Sequence, residues 1–217
     1  MIPFGRNRSD VFLWEHAVRV TSTALRIAHL PELASQQVDL DVLQAAALYH
    51  DSGWVVQFRE GQITREDVLA KLPTPVQREL AASLFEESLT ELLPAETLAG
   101  ASACIRMLND HDVDVAEAWI IVEADNLEEC GPLSLLRLWR RHTFEGKGLQ
   151  AIVERWQTQR RYGYWDARIN DTIRLDAVKK IARQRLKALD RVVEELRRHD
   201  IADDIAPAFD DNTEIQA

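Results

Sequence analysis

Four residues of this chain stand where their side chains would be costly unless they were put to use. His16 lies on an apolar stripe with Leu13, Val20, Ala24 and Ile27, at steps of three and four, so a helix would turn it toward a core. His50 and Asp51 stand together at the end of the Ala-rich run AAALYHDSG, where Ala45, Ala46 and Ala47 let another helix approach closely. Asp125 is embedded in the apolar run WIIVEADNL. A carboxylate in such a setting must be paired, hydrogen-bonded or metal-bound, because an isolated buried charge is expensive. A lone core histidine is often a satisfied structural residue; an adjacent His and Asp at a buried helix end is harder to explain that way. Two imidazoles and two carboxylates drawn from three helices would make an N/O site for Mn²⁺, Fe²⁺, Co²⁺, Ni²⁺ or Zn²⁺.

The elements that must position these residues read as helices throughout. A helix is expected from near Val11, capped by Ser9 or Asp10 and ended by Pro31. A second runs from about Asp39 to Asp51, with Ser52-Gly53 as its stop. Residues 54–63 read as a short extended piece or a loop. Helices follow at about 64–71 and 74–92, the latter with Thr74 as cap and Pro75 in the first turn. Others cover the stretch from Pro94 to Leu108, then 114–129, 132–142 and 147–161. Asp166 to His199 reads as one long helix or two stacked ones. No pair of alternating strands with a hairpin turn is visible. The fold class is all-α, a single-domain helical bundle.

Length and composition agree. The 217 residues, 46% hydrophobic and 29% charged, suit one soluble domain with a core that needs no disulfide. Residues 1–199 are expected to form that domain and 200–217 an acidic tail. Net charge is −10, against binding extended nucleic acid or an anionic membrane. The charge is unevenly spread. Residues 1–130 carry nine basic and 22 acidic residues, residues 131–199 carry 17 and eight, and residues 200–217 none and six. The basic stretch could dock on the acidic half or draw an anionic substrate into a cleft between them. Cys104 and Cys130 lie in apolar helical patterns and read as buried free thiols of a reducing compartment. No secretory signal or membrane-spanning run is present, so the expected location is the cytoplasm.

The order of these elements resembles the HD-domain superfamily of metal-dependent phosphohydrolases. EHAVRVTSTALRIA supplies the first histidine, AALYHDSG the His-Asp doublet and IIVEADNLEECG the distant Asp. IRMLNDHD, with His111, resembles the Ile-x-x-His stretch that precedes that Asp, and AVKKIARQRLKALDRVVEEL the closing helix of small bacterial members. The likeness spans about residues 10–199. It implies a helical bundle of the HD-domain type and one divalent metal (Mn, Fe, Co, Ni, Mg or Zn) held by His16, His50, Asp51 and Asp125. It also implies hydrolysis of a phosphomonoester or nucleotide by a water that the metal acidifies. Asp51 would hold the metal and accept a hydrogen bond from the water, Arg19 would balance phosphoryl charge and His111 would protonate the leaving group. For His111 a solvated helix cap, and for Arg19 a surface salt bridge, are the alternatives.

Two departures bear on that reading. Many members carry Lys or Arg after the doublet's glycine; this chain has Trp54. A catalytically silent metal- or nucleotide-binding regulatory module is therefore the alternative function. His111 is the only histidine between Asp51 and Asp125, which speaks against two metals and against di-iron oxygenases of the same fold. Arg137, Arg140, Arg141 and Lys147 read as a solvated basic face from which one residue could clamp a phosphate. His29, His142 and His199 read as structural or surface residues. Monomer and homodimer both remain open.

Overall fold

A computed structural model describes residues 11–64, 67–68, 73–110 and 113–205, and every regular element among them is helical. The first helix, α1 (Val11–Ala28), buries Leu13, His16, Ala17, Val20, Ala24 and Ile27 along one side, the expected stripe. It packs on α2 (Leu40–Tyr49) and on α6 (Ala116–Glu129). The N-terminus of α2 is capped by Asp39, whose side chain accepts from the Asp41 and Val42 amides. Ala46 and Ala47 of α2 are fully buried, and their small side chains permit the close crossings. The caps expected at Ser9 or Asp10 lie outside the described residues, as does most of the helix expected over 64–71.

Residues 53–59 correct the expectation of an extended piece or loop. They form a short helix, α3 (Gly53–Arg59), which packs on α4 (Pro75–Leu89). Its apolar side, Trp54 and Val55, meets Leu13 and Val68 in a small second core. Gly53 has a different reason to be glycine from the one the sequence suggested. It starts α3, and a Cβ there would sit 2.0 Å from the Gln77 carbonyl oxygen on α4. The glycine lets α4 reach the His-Asp doublet. Thr74 caps α4 through the Gln77 amide, as expected. α5 (Ala95–Met107) packs on α2 and α4.

α6 is the central helix, burying Ile120, Ile121, Ala124 and Leu127, and with them Glu123 and Glu128. Beyond it come α7 (Ser134–Phe144), α8 (Leu149–Arg161), α9 (Tyr164–Thr172) and α10 (Asp176–Asp200). The stretch 166–199 is thus two helices, broken at Ile173, whose backbone is extended. Glutamates from far upstream cap the start of α10. Glu32 accepts from the Asp176 and Ala177 amides, and Glu123 from those of Arg174 and Leu175. The basic C-terminal half docks on α6, with Arg137 on Glu128, Arg168 on Glu129 and Arg185 on the Leu127 carbonyl. Both cysteines are buried and free; burial pushes the Cys104 thiol up to about 12 and Cys130 to about 11, so both stay protonated. No described helix is long and apolar enough to cross a membrane.

Gly53→Ala should destabilise the fold by roughly 2–4 kcal/mol, above the common range for overpacking because the obstacle is backbone. Urea unfolding measures it. A midpoint equal to that of the wild-type chain would rule out the tight α3–α4 contact.

Candidate metal centre

His16 from α1 stands between the doublet that follows α2 and Asp125 from α6. His16 Nε2 lies 3.4 Å from Asp51 Oδ2 and 3.5 Å from Asp125 Oδ1, and His50 Nε2 lies 3.6 Å from Asp51 Oδ2. The two imidazole centres are 5.2 Å apart. Ligands about 2.1 Å from a common ion, at angles near 90–110°, stand about 3.0–3.5 Å from one another, so the spacing suits a shared cation. His16, His50 and Asp51 are almost completely buried. His50 Nε2 and Asp125 Oδ1 are buried with no hydrogen-bond partner among the described residues. Buried nitrogen and carboxylate oxygen atoms left without hydrogen-bond partners around one imidazole–carboxylate cluster are the kind of donors a divalent cation accepts. The residues present therefore fit a divalent metal. The donor atoms fall into two groups, His16 with His50 and Asp51, and His16 with Asp125 and Glu128, which share His16.

The neighbours of these side chains fix which atoms are offered. His50 Nδ1 is 2.7 Å from the Ala47 carbonyl, which can only accept, so Nδ1 carries the proton and Nε2 the lone pair. Burial lowers the His50 pKa, which keeps the ring neutral. His16 Nδ1 donates to Glu128 in the same way, leaving Nε2 toward Asp51 and Asp125. Asp51 Oδ1 accepts from Arg78 at 2.8 Å and from Gln77 at 3.5 Å, which frees Oδ2 for the cluster. Arg78 is further held by the His50 carbonyl at 2.6 Å and by Asn109 at 3.2 Å.

Electrostatics follow from this packing. Burial by itself would lower the His16 pKa, but hydrogen bonds to Asp51 and Glu128 outweigh it and raise it to about 9. Burial would raise Glu128; the His16 hydrogen bond, with His16, Arg137 and Arg19 as cations, brings it down to about 2. Without metal, His16 is thus an imidazolium held between carboxylates.

Arg19 takes the salt-bridge alternative, with Glu15 of its own helix 3.8 Å from Nη1. Its guanidinium binds Glu128, and it is absent from the lining of the cavity beside the ligands. That cavity, about 310 Å³, is lined by His50 and Asp125 together with Arg78, Asn109, Asn126 and Arg168. Arg137, expected on a solvated face, instead reaches Glu128 at 2.6 Å and Asp125 at 3.9 Å and lies against the His16 ring. Arg141 and Lys147 do pair on the surface with Glu145. Trp54 is buried in the second core, and the cation beside the doublet comes from Arg78. His111 lies outside the described residues.

Several residues of the site, among them Glu128, Glu129, Arg78 and Arg168, were not singled out in the sequence. Glu128 and Glu129 follow Asp125 by three and four residues and therefore share its helix face, a signal that was available. Arg78 gave none, because it reaches Asp51 across 27 positions through the α3–α4 approach.

A family model for the HD domain matches residues 13–130. The chain belongs to the HD-domain family. No curated protein and no solved structure matches it. The matched stretch contains His16, His50, Asp51, Arg78, Asp125 and Glu128, whereas Arg137 and Arg168 lie beyond it. HD domains are metal-dependent, and the buried group in this one is compatible with binding a divalent ion.

The raised His16 pKa sets a pH dependence. The imidazolium's stabilisation of the metal-free fold is complete below about 6.5 and is lost as pH rises through about 9. Glu128 acts at the other end, contributing above about 4.5 and losing its contribution as pH falls toward 2. The metal-stripped chain should melt highest between about pH 5 and 7 and fall by up to about 1.4 kcal/mol per unit above that. Metal binding at pH 7 should release about one proton per ion. Calorimetry in buffers of different ionisation enthalpy counts it; no release would mean that the metal does not replace the His16 proton.

Proposed function

We propose that this HD domain is a metal-dependent phosphohydrolase acting on a small phosphomonoester or nucleotide, with one divalent ion held by His16, His50, Asp51 and Asp125. The observation that carries the reading is the pair of buried atoms without hydrogen-bond partners, His50 Nε2 and Asp125 Oδ1, beside a cavity whose other charged groups are Arg78, Arg168 and Glu129. When bound, the ion supplies a water acidified toward neutral pH and a Lewis acid for a phosphoryl oxygen.

The chain's own residues do the rest. Asp51, fixed by Arg78 through Oδ1, presents Oδ2 both to the ion and to the proton of an attacking water. Arg78 and Arg168 supply positive charge to the phosphoryl oxygens in the cavity. Arg168 is held in place by Glu129 at 2.5 Å and by Tyr164 at 3.1 Å. Arg19 acts at one remove, by fixing Glu128, which fixes His16. It is a positioning residue in this scheme, and His111 keeps its assignment as the candidate acid for the leaving group. Arg78 beside the doublet removes the main reason for the regulatory alternative, which was the missing cation at Trp54.

A panel of phosphomonoesters and nucleotides, each assayed with Mn²⁺, Fe²⁺, Co²⁺, Ni²⁺, Mg²⁺ and Zn²⁺, tests the activity. Hydrolysis of at least one monoester is expected, abolished in His50→Ala and Asp51→Ala together with metal binding. Arg168→Ala should lower turnover about 10- to 100-fold with metal content unchanged. Elemental analysis should give close to one ion per chain. Full occupancy without hydrolysis of any substrate would favour the regulatory module.

A further inference from the structure

The cavity that Arg19 does line takes no part in the proposed reaction. It measures about 390 Å³ and lies between α1, the turn at residues 131–133 and α10, on the far side of Glu128 from the metal ligands. Glu128 is the one acidic residue among its described lining, and both of its carboxylate oxygens are already engaged. One accepts from Arg19, and the other meets Arg137 and His16.

What remains around the cavity is a set of donors. Arg185 enters from α10, and Ser22 and Thr23 bring hydroxyls from α1. Arg185 donates from Nη1 to the Leu127 carbonyl at 3.0 Å, which orients the guanidinium without neutralising it. Arg78, Arg137 and Arg168 each have a carboxylate within 3 Å. Arg185 is half-buried and has no carboxylate at ion-pair distance among the described residues. Its pKa is lowered by burial, the mark of a cation short of compensation. Two guanidiniums from separate helices, each with N–H groups in a rigid fork, match the oxygens of a tetrahedral anion. The turn at 132–133 adds an apolar wall from Pro132 and Leu133.

We propose that this cavity is a second oxyanion site, distinct from the metal centre, formed by Arg185 and Arg19 with Ser22 and Thr23, which binds inorganic phosphate or the phosphate group of a small monoester. Neither ligand requires the metal, and the site stands whether or not the chain is a hydrolase.

Isothermal titration of the full chain with inorganic phosphate, and separately with glycerol 1-phosphate, tests it. A binding event is expected that Arg185→Ala weakens at least tenfold. Ser22→Glu should weaken it equally; Ser22 is exposed, so this change brings a carboxylate to the cavity mouth without disturbing the core. Arg168→Ala, in the other cavity, should leave the event in place. Tighter binding of the ester would identify an organic phosphate as the ligand, and tighter binding of phosphate the free ion; both support the site. Absence of binding, or unchanged affinity in Ser22→Glu, overturns it. So does loss in Arg168→Ala with retention in Ser22→Glu, which would move the anion to the metal-side cavity.

Discussion

Asp51 is a carboxylate taken almost wholly out of water, and the architecture around it keeps it charged. Burial alone would raise its pKa; His50 beside it, the His16 hydrogen bond and the charges of Arg78 and His16 hold it well below the usual carboxylate range. Each of these partners arrives on a different segment. His16 comes from α1, His50 from the end of α2 and Arg78 from α4. The crossings of α1 with α2 and of α3 with α4 therefore cannot drift without stranding a buried charge. Buried ion pairs add little net stability over apolar packing, but losing one partner costs several kcal/mol. The cluster is better understood as a device that specifies geometry than as a source of stability.

The same logic extends outward by one layer. Glu128 orients His16, the Ala47 carbonyl orients His50, and Arg78 orients Asp51. In each case the outer partner consumes one polar atom of the inner residue and leaves the other for a ligand. Arg137 and Arg19 then compensate Glu128. The buried cluster around His16 thus draws on α1, α2, α4, α6 and α7, which is why removing any one helix would disturb all of it.

The chain's two halves divide this work by charge. The stretch matched by the HD-domain family provides the donors and most of the acids, and α7–α10 provide Arg137, Arg168 and Arg185. The basic C-terminal half is at once the cover of α6 and the source of cations on either side of it. The two roles raised by the charge distribution, docking and attraction of an anion, are compatible because the guanidiniums that dock also line cavities.

Helical periodicity, Pro and Gly punctuation and the isolated polar residues in apolar runs were enough to determine an all-α fold and to single out His16, His50, Asp51 and Asp125. These signals are local: a period of 3.6 residues assigns a face, and a charge on that face demands a partner. The α3 helix escaped because seven residues carry too little periodicity to tell helix from loop. Gly53 was read as a helix stop because a close approach by α4 leaves no trace in neighbouring residues. Identity of partners was decided only by the tertiary structure. That Arg78 rather than a residue beside Trp54 faces Asp51, that Arg137 leaves the surface for Glu128, and that Arg19 turns to a separate cavity all depend on side chains meeting across distant positions. Sequence fixes how far a guanidinium can reach along its own helix, whereas the helix crossings determine what lies within that reach.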